Sequence, residues 1–175
     1  MASKAKRSII NAFLKLIETE EYKKITVTAL VEACDISRQT FYYHFNDIEE
    51  MLTYAFQEET AAICKSQEVG KWMESAALYA GFLSRYDATL RKAARSDDFM
   101  FIYGLLYKSF FDYIASYVQK KSGKDPLSGD DSRFVVACAA HSFSGLVLDE
   151  IRKETSDYFT LAEKIGNGFK LLPKA

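Results

Sequence analysis

Proline and cysteine are scarce in this chain. The two prolines, Pro126 and Pro173, and the few alternating β-branched stretches give strands little support, so the sequence favours helix almost throughout. The three cysteines are widely spaced and form no C-x-x-C pair. This spacing predicts small core thiols in a reducing cytoplasm rather than disulfides or a metal site. We therefore expect a cytoplasmic protein with no metal and no cofactor.

Long apolar runs, catalytic motifs and an excess of one charge are also missing. The N-terminus has no apolar core of a signal peptide, and the run from Phe134 to Leu148 is shorter than the roughly 20 residues of a membrane span. No nucleotide-binding glycine motif or nucleophile elbow is present, so we expect neither an enzyme nor a membrane protein. The net charge of −1 means that any nucleic-acid footprint must be local.

Apolar periodicity predicts an all-α chain of eight helices. The clearest loop is SGKDPLSGDD at 122–131, where turn-forming residues cluster. The predicted helices lie near 4–20, 26–33, 37–44, 46–66, 71–94, 96–121, 131–153 and 157–171.

The stretch TVTALVEACDISRQTFYYHF, residues 26–45, predicts a helix-turn-helix. Thr26 or Thr28 can cap the first helix, and Ser37 can cap the second. Asp35 and Ile36 form a turn too tight for most other motifs. An apolar stripe then holds the first helix in place, namely Val27, Leu30, Val31 and Cys34.

The second of these helices has two distinct faces. At 100° per residue Phe41 and Phe45 point inward, whereas four hydrogen-bonding side chains point outward: Arg38, Gln39, Tyr42 and Tyr43. Such a set suits the major groove of DNA, with Arg38 on guanine or phosphate, Gln39 on adenine and the tyrosine hydroxyls on phosphates. Polar outward faces are also common on small helical domains with no DNA partner.

Residues 9–52, IINAFLKLIETEEYKKITVTALVEACDISRQTFYYHFNDIEEML, resemble the DNA-binding domain of the TetR family of transcription regulators. The segment YDATLRKAARSDDFMFIYGLL is similar to the branch of that family that includes dihydroxyacetone kinase regulators. Many members place a lysine where this chain has Ile48. The resemblance implies a helix-turn-helix domain at 1–48, and an effector-binding and dimerisation domain at 49–175.

DNA-binding residues follow from the resemblance, from the outward helix face and from the basic N-terminal turn. We expect them to be Lys4, Lys6, Thr28, Ser37, Arg38, Gln39, Thr40, Tyr42, Tyr43 and His44. A palindromic operator in double-stranded DNA is the implied partner, and a homodimer formed by the last two helices is the implied reader.

Aromatic side chains are dense after residue 70, and eight of them between Phe99 and Tyr117 predict a central, buried helix. An aromatic wall with a few hydroxyls suits a small effector. The candidate ligand-binding residues are Trp72, Tyr79, Phe82, Tyr103, Tyr107, Phe110 and His141. The same rings can equally be ordinary core packing.

These features favour a DNA-binding repressor whose operator affinity is set by an effector in the C-terminal domain. Two alternatives stay open from the sequence. One is a regulator of the same fold that is controlled by a protein partner, and the other is an enzyme or small-molecule carrier.

Overall fold

The computed structural model describes residues 4–123, 125 and 127–171, with side chains given up to residue 167. Within these residues nine α-helices and one short 3-10 helix, Tyr22–Lys24, follow one another without a strand. The α-helices are α1 (Lys4–Thr19), α2 (Val27–Cys34), α3 (Arg38–His44), α4 (Ile48–Ser66), α5 (Trp72–Arg85), α6 (Asp87–Ala94), α7 (Phe99–Ser122), α8 (Asp130–Ile151) and α9 (Tyr158–Leu171). The all-α prediction is confirmed.

The predicted helix near 71–94 is wrong in one respect, because the structure has two helices there. The ladder ends at Tyr86, whose buried N–H is shared between the carbonyls of Phe82 and Leu83. Such sharing tightens a last helical turn. The next residue, Asp87, opens α6 and accepts a hydrogen bond of 2.7 Å from the Tyr158 hydroxyl. This partner lies 71 residues away, so local periodicity carries no sign of the break.

The chain divides into two compact units. The first comprises residues up to Glu59 together with Ala88–Leu105, and the second comprises Thr60–Asp87 together with the residues from Leu106 onward. One boundary therefore falls inside α4 and another inside α7. Compact units need not coincide with functional domains, so the division after residue 48 stays a prediction.

In the first unit, α1, α2, α3 and the first half of α4 share one apolar core. Its fully buried members include Phe13, Leu30, Phe41, Met51 and Leu52. The Lys92 ammonium closes the end of α1 by donating to the carbonyls of Ile17, Glu18 and Glu20 at 2.6, 3.1 and 3.0 Å. A cation there satisfies orphan carbonyls and complements the helix dipole. The core and this cap fix the entry to the helix-turn-helix.

In the second unit, α5 and α9 pack together, and the inner face of α8 contributes the core residues Val136, Ala140, Phe143 and Val147. This helix is longer than the apolar run predicted from the sequence. Its 22 residues include a stretch of mean hydropathy 1.4, which by length and composition alone would suffice for a membrane span. About 44% of that stretch is buried within the protein, as in the core helix of a globular unit.

The expectation that α7 is buried all round is wrong. Phe110 and Tyr113 are buried, whereas other rings on the same helix are half-exposed, among them Phe99, Tyr103, Tyr107, Phe111 and Tyr117. Aromatic composition does not distinguish core from surface, because a tyrosine can cover apolar surface while its hydroxyl stays in water.

Candidate DNA-binding surface and C-terminal cavity

The turn between α2 and α3 is built by local hydrogen bonds. Thr26 caps α2 by accepting from the Ala29 N–H at 3.2 Å, and Ser37 caps α3 by accepting from the Thr40 N–H at 3.0 Å. Asp35 turns the chain with φ of 53°, a left-handed conformation that aspartate tolerates better than most residues. The predicted caps at Thr26 and Ser37 are confirmed, so the two helices meet in a fixed geometry.

The outward face of α3 is solvent-exposed above a buried inner face. Phe41 and Phe45 have 0% and 2% of their surface exposed, whereas Tyr42 and Tyr43 have 55% and 83%. Gln39 and Arg38 are exposed as well. Two large aromatic side chains left in water on one short helix are unusual for core packing and are typical of a binding surface.

Two of the residues predicted to contact DNA form a hydrogen bond with each other. The Nη2 atom of Arg38 donates to the Thr28 hydroxyl across the turn, at 2.5 Å. The guanidinium has five N–H groups, so it retains donors for other partners. Thr28 therefore restricts where Arg38 points. This pairing joins residues on different helices, and no sequence period indicates it.

The other predicted contact residues lie around the same surface. Thr40 is half-buried and its hydroxyl lies 2.9 Å from the Ser37 hydroxyl. His44 is half-buried, with its ring edge-on to Tyr43 at 5.0 Å between centroids. Both side chains are partly engaged by neighbours on α3 itself.

The two N-terminal lysines have different surroundings. Lys4, the first residue of α1, is exposed. Lys6 is half-buried, and its ammonium lies over the Tyr54 ring, 3.9 Å from the ring centroid, and 5.1 Å from the centroid of Phe45. The sequence predicts one basic turn of Lys4, Lys6 and Arg7, of which Lys4 and Arg7 are exposed and Lys6 packs on the rings.

The N-terminus of α4 is capped by the carboxylates of Asp47 and Glu50. The Glu50 N–H donates to Asp47 at 2.7 Å, and the Asn46 N–H donates to the Glu50 carboxylate at 2.6 Å. This arrangement resembles a capping box, in which side chains satisfy the orphan N–H groups of a helix start. N–H groups at a helix start can bind phosphates, but these two donors already bond carboxylates.

An apolar cavity of about 40 Å³ lies inside the second unit. Of the predicted ligand-binding residues, Trp72, Tyr79 and Phe110 line it. The other lining residues were not predicted to bind a ligand; they are Ala76, Ala80, Leu83, Tyr113, Phe143, Val147, Tyr158, Leu161, Ala162 and Ile165. Most of these are the small and aliphatic positions of α5, α8 and α9, whose convergence depends on tertiary packing.

The remaining predicted ligand residues do not line this cavity. Phe82 is buried behind it, edge-on to Tyr79 at 5.5 Å. Tyr103 belongs to the first unit. Tyr107 and His141 stack on each other with their ring centroids 4.3 Å apart, and His141 is exposed. These four lie elsewhere because helical spacing gives the face of a residue but not which helix covers that face.

Hydroxyl groups around the cavity form hydrogen bonds with one another. Tyr79 pairs with Ser109 at 2.5 Å, Ser109 also pairs with Thr60, and Tyr113 pairs with Ser75 at 2.9 Å. Burial raises the pKa of Tyr113 to about 12 and raises that of Tyr79 further, so both phenols stay protonated. Since these hydroxyls are already satisfied, the cavity presents an apolar wall.

A larger open groove of about 690 Å³ lies beside the cavity in the second unit, with Trp72 common to both. Gly166 forms part of its wall, and a Cβ there would stand 2.5 Å from the Met73 sulfur. The other lining residues are Gly70, Lys71, Met73, Glu74, Ile114, Tyr117, Val118, Lys121 and Ala139. The groove is far roomier than the cavity.

The three cysteines differ in their exposure. Cys34, Cys64 and Cys138 are free, and burial raises the pKa of the Cys34 and Cys64 thiols. Cys138 is exposed on α8, so its predicted core position is wrong. Across the described part of the chain, no cluster of three or more histidine, cysteine or acidic side chains has the arrangement of a metal site.

Comparison with known proteins agrees with this geometry. Residues 9–55 match the family model of bacterial regulatory proteins of the tetR family. The chain is 25% identical over 116 residues to the HTH-type dhaKLM operon transcriptional activator DhaS of Lactococcus lactis. That alignment covers 65% of this chain but only 62% of the relative.

Two solved structures share the fold over nearly the whole chain. The dihydroxyacetone kinase operon activator DhaS superposes with a TM-score of 0.74 at 19% identity, covering 95% of this chain and 94% of its own. AlkX is a TetR family repressor from a Dietzia strain and is implicated in biodegradation of n-alkanes. It superposes with a TM-score of 0.62 at 19% identity, covering 93% of this chain and 94% of its own.

The fold and the exposed α3 face define the class: an all-α protein with an N-terminal helix-turn-helix DNA-binding domain. Within that class, residues 9–55 form the DNA-binding domain of the TetR family.

Proposed function

We propose that the protein is a cytoplasmic, sequence-specific transcriptional regulator that represses its target genes by occupying an operator. The observation that carries this proposal is the exposed face of α3, fixed by capped helix ends over a buried Phe41. The residues proposed to face DNA are Lys4, Thr28, Ser37, Arg38, Gln39, Thr40, Tyr42, Tyr43 and His44.

The test is a binding-site selection with purified protein and genomic fragments, followed by affinity measurements on the selected sequence. Tyr42→Ala and Gln39→Ala should each weaken binding by about 1–3 kcal/mol with unchanged helical content. Unchanged affinity in both variants would refute α3 as the reading helix. A reporter gene behind the selected operator then separates repression from activation, the mode named for DhaS.

A palindromic operator calls for a homodimer, whose two reading helices enter major grooves about 34–36 Å apart. The outward face of α8 supports this proposal, since Phe134 and Val135 are 68% and 64% exposed and Leu146 is 40% exposed. Large apolar side chains left in water on one helix favour association. Small residues beside them, such as Gly145, let helices approach closely.

Light scattering tests the dimer. Phe134→Asp places a charge on the α8 face and should convert the dimer to a monomer, because a buried unpaired charge is costly. Leu127→Asp is the matched control, since Leu127 is 42% exposed but lies outside α8. A wild-type monomer at micromolar concentration would rule out the homodimer.

The proposed control of DNA affinity acts through an effector in the second unit. A ligand can shift that affinity only by binding the DNA-competent and incompetent conformations unequally. Small-molecule sites commonly span about 300–1,000 Å³. The groove, at about 690 Å³, falls within that range, and its largely apolar wall suits an apolar molecule.

The 40 Å³ cavity favours a second candidate, control by a protein partner, because it is too small for an effector without expansion. Thermal-shift screening of metabolites, with operator affinity measured for every hit, separates the two candidates. A stabilising compound that changes operator affinity supports small-molecule control. Stabilising compounds that leave affinity unchanged refute it in favour of the protein partner.

A further inference from the structure

Lys6 lies against two aromatic rings of the first unit. Its ammonium is 3.9 Å from the centroid of Tyr54, on α4, and 5.1 Å from that of Phe45, which ends α3. The two rings contact each other, with centroids 5.6 Å apart at an interplanar angle of 58°. One lysine thus joins the first turn of α1 to α4 and to the end of the reading helix.

The contact has the geometry of a cation–π interaction. The face of an aromatic ring carries negative potential, and a cation within about 6 Å of the centroid is attracted to it. Lys6 is half-buried and Phe45 is 2% exposed, so water only partly screens the attraction. A lysine held in this way is poorly placed to serve also as a mobile phosphate contact.

We propose that Lys6 is a positioning residue for DNA binding, which acts through Tyr54 and Phe45 rather than by contacting a phosphate. Its cation–π contact holds the first turn of α1 in a fixed place beside the end of α3. The exposed Lys4, half a turn earlier, is thereby presented to the DNA backbone. This inference rests on the proposed DNA-binding function.

A phosphate contact and a positioning role differ in their salt dependence. Each phosphate neutralised by a lysine adds about 0.9 to the slope of log affinity against log salt. A positioning lysine changes affinity without contributing a contact of its own. The slope therefore separates the two roles, even when both weaken binding.

The decisive variant is Tyr54→Leu, which removes the ring and leaves every charge in place. Operator affinity should fall about 2- to 5-fold, the equivalent of a partly exposed cation–π contact, while the salt slope stays unchanged. Tyr54→Phe is the matched control and should bind as the wild type does, because the ring is retained. Unchanged or tighter binding by Tyr54→Leu would overturn the proposal.

Two charge variants complete the test. Lys6→Gln should weaken binding with little change in slope, whereas Lys4→Gln should lower the slope by about 0.9. A drop of that size for Lys6→Gln would show a phosphate contact and overturn the positioning role. An unchanged slope for Lys4→Gln would overturn it too, because Lys6 would then have no phosphate contact to position.

A DNA-free measurement keeps this inference distinct from the proposed function. In the NMR spectrum of the free protein, ring currents should shift the Lys6 ε-methylene protons upfield. The shift should persist in Tyr54→Phe and become smaller in Tyr54→Leu, where only the more distant Phe45 ring remains. Unshifted protons in a protein that binds its operator would refute the contact alone. A normal shift in a protein that selects no DNA would instead refute the proposed function.

Discussion

Removal of the Thr28 hydroxyl should reduce operator affinity through Arg38. In the free protein this hydroxyl accepts a hydrogen bond of 2.5 Å from the guanidinium, and Thr28 is half-buried at the base of the exposed Arg38 side chain. Thr28→Val keeps the β-branched shape and removes only the acceptor. Arg38 is then free to adopt other rotamers, and must be ordered when DNA binds.

The magnitude follows from the exposure of the pair. Hydrogen bonds to charged groups contribute about 1.5–3 kcal/mol when well shielded. Because Arg38 is exposed, solvent screening lowers this to about 0.5–1.5 kcal/mol. Operator affinity should therefore fall about 2- to 12-fold in Thr28→Val. The fold should be nearly as stable as the wild type, because the bond lies at the surface.

The assay is a double-mutant cycle by fluorescence anisotropy on the selected operator, with the wild type, Thr28→Val, Arg38→Ala and the double variant. A coupling of about 0.5–1.5 kcal/mol is expected, since Thr28 should matter only when Arg38 is present. Thr28→Ser, which keeps the hydroxyl, is the control. Additive effects within about 0.3–0.5 kcal/mol would refute the reasoning and make Thr28 an independent contact.

Three further predictions concern stability. Ser37→Ala removes the cap of the seven-residue α3 and should lower the free energy of unfolding by about 1 kcal/mol in chemical denaturation. An unchanged free energy of unfolding would refute the capping role. Lys92→Met keeps the side-chain stem but leaves three carbonyls at the end of α1 without their cation, and should cost about 1–2 kcal/mol in the same assay. Burial alone would raise the pKa of Glu150, but Lys153 and the Asp157 N–H outweigh it and lower the pKa below its ordinary 4.5. The stabilising contribution of the Glu150 carboxylate should thus be complete above pH 4.5 and be lost as the pH falls below that value. If Glu150→Gln unfolded in acid with the same midpoint pH as the wild type, this expectation would be wrong.

The helix-turn-helix could be predicted because its determinants are local. A cap at Thr26 and another at Ser37 each depend on residues three positions apart, and the buried Phe41 follows from helical spacing. Each signal lies within one or two helical turns of sequence. Periodicity predicts structure well over such short distances along the chain.

The sequence could not predict features that depend on distant partners. The break at Tyr86 is accompanied by a bond between Asp87 and Tyr158, and the cavity joins side chains from four helices. Lys6 and Tyr54 are 48 positions apart, so the basic N-terminal turn gave no hint of a ring beneath one lysine. In each case the missing information is which elements pack together, and periodicity within one element does not contain it.

The charges around the helix-turn-helix bear on how this regulator would hold DNA. The start of α4 carries Asp47 and Glu50 as its own caps, with Ile48 where many TetR regulators have a lysine. Lys6 lies over aromatic rings, and the Arg38 guanidinium is turned toward Thr28. Lys4 and Arg7 stay exposed on the first turn of α1, but Lys6 and the start of α4 add no free cation for phosphates. Hydroxyl and amide groups such as those of Tyr42, Tyr43 and Gln39 must then supply more of the binding energy. Since these groups add no counterion release, the proposed operator complex should depend on base sequence and geometry more than on salt.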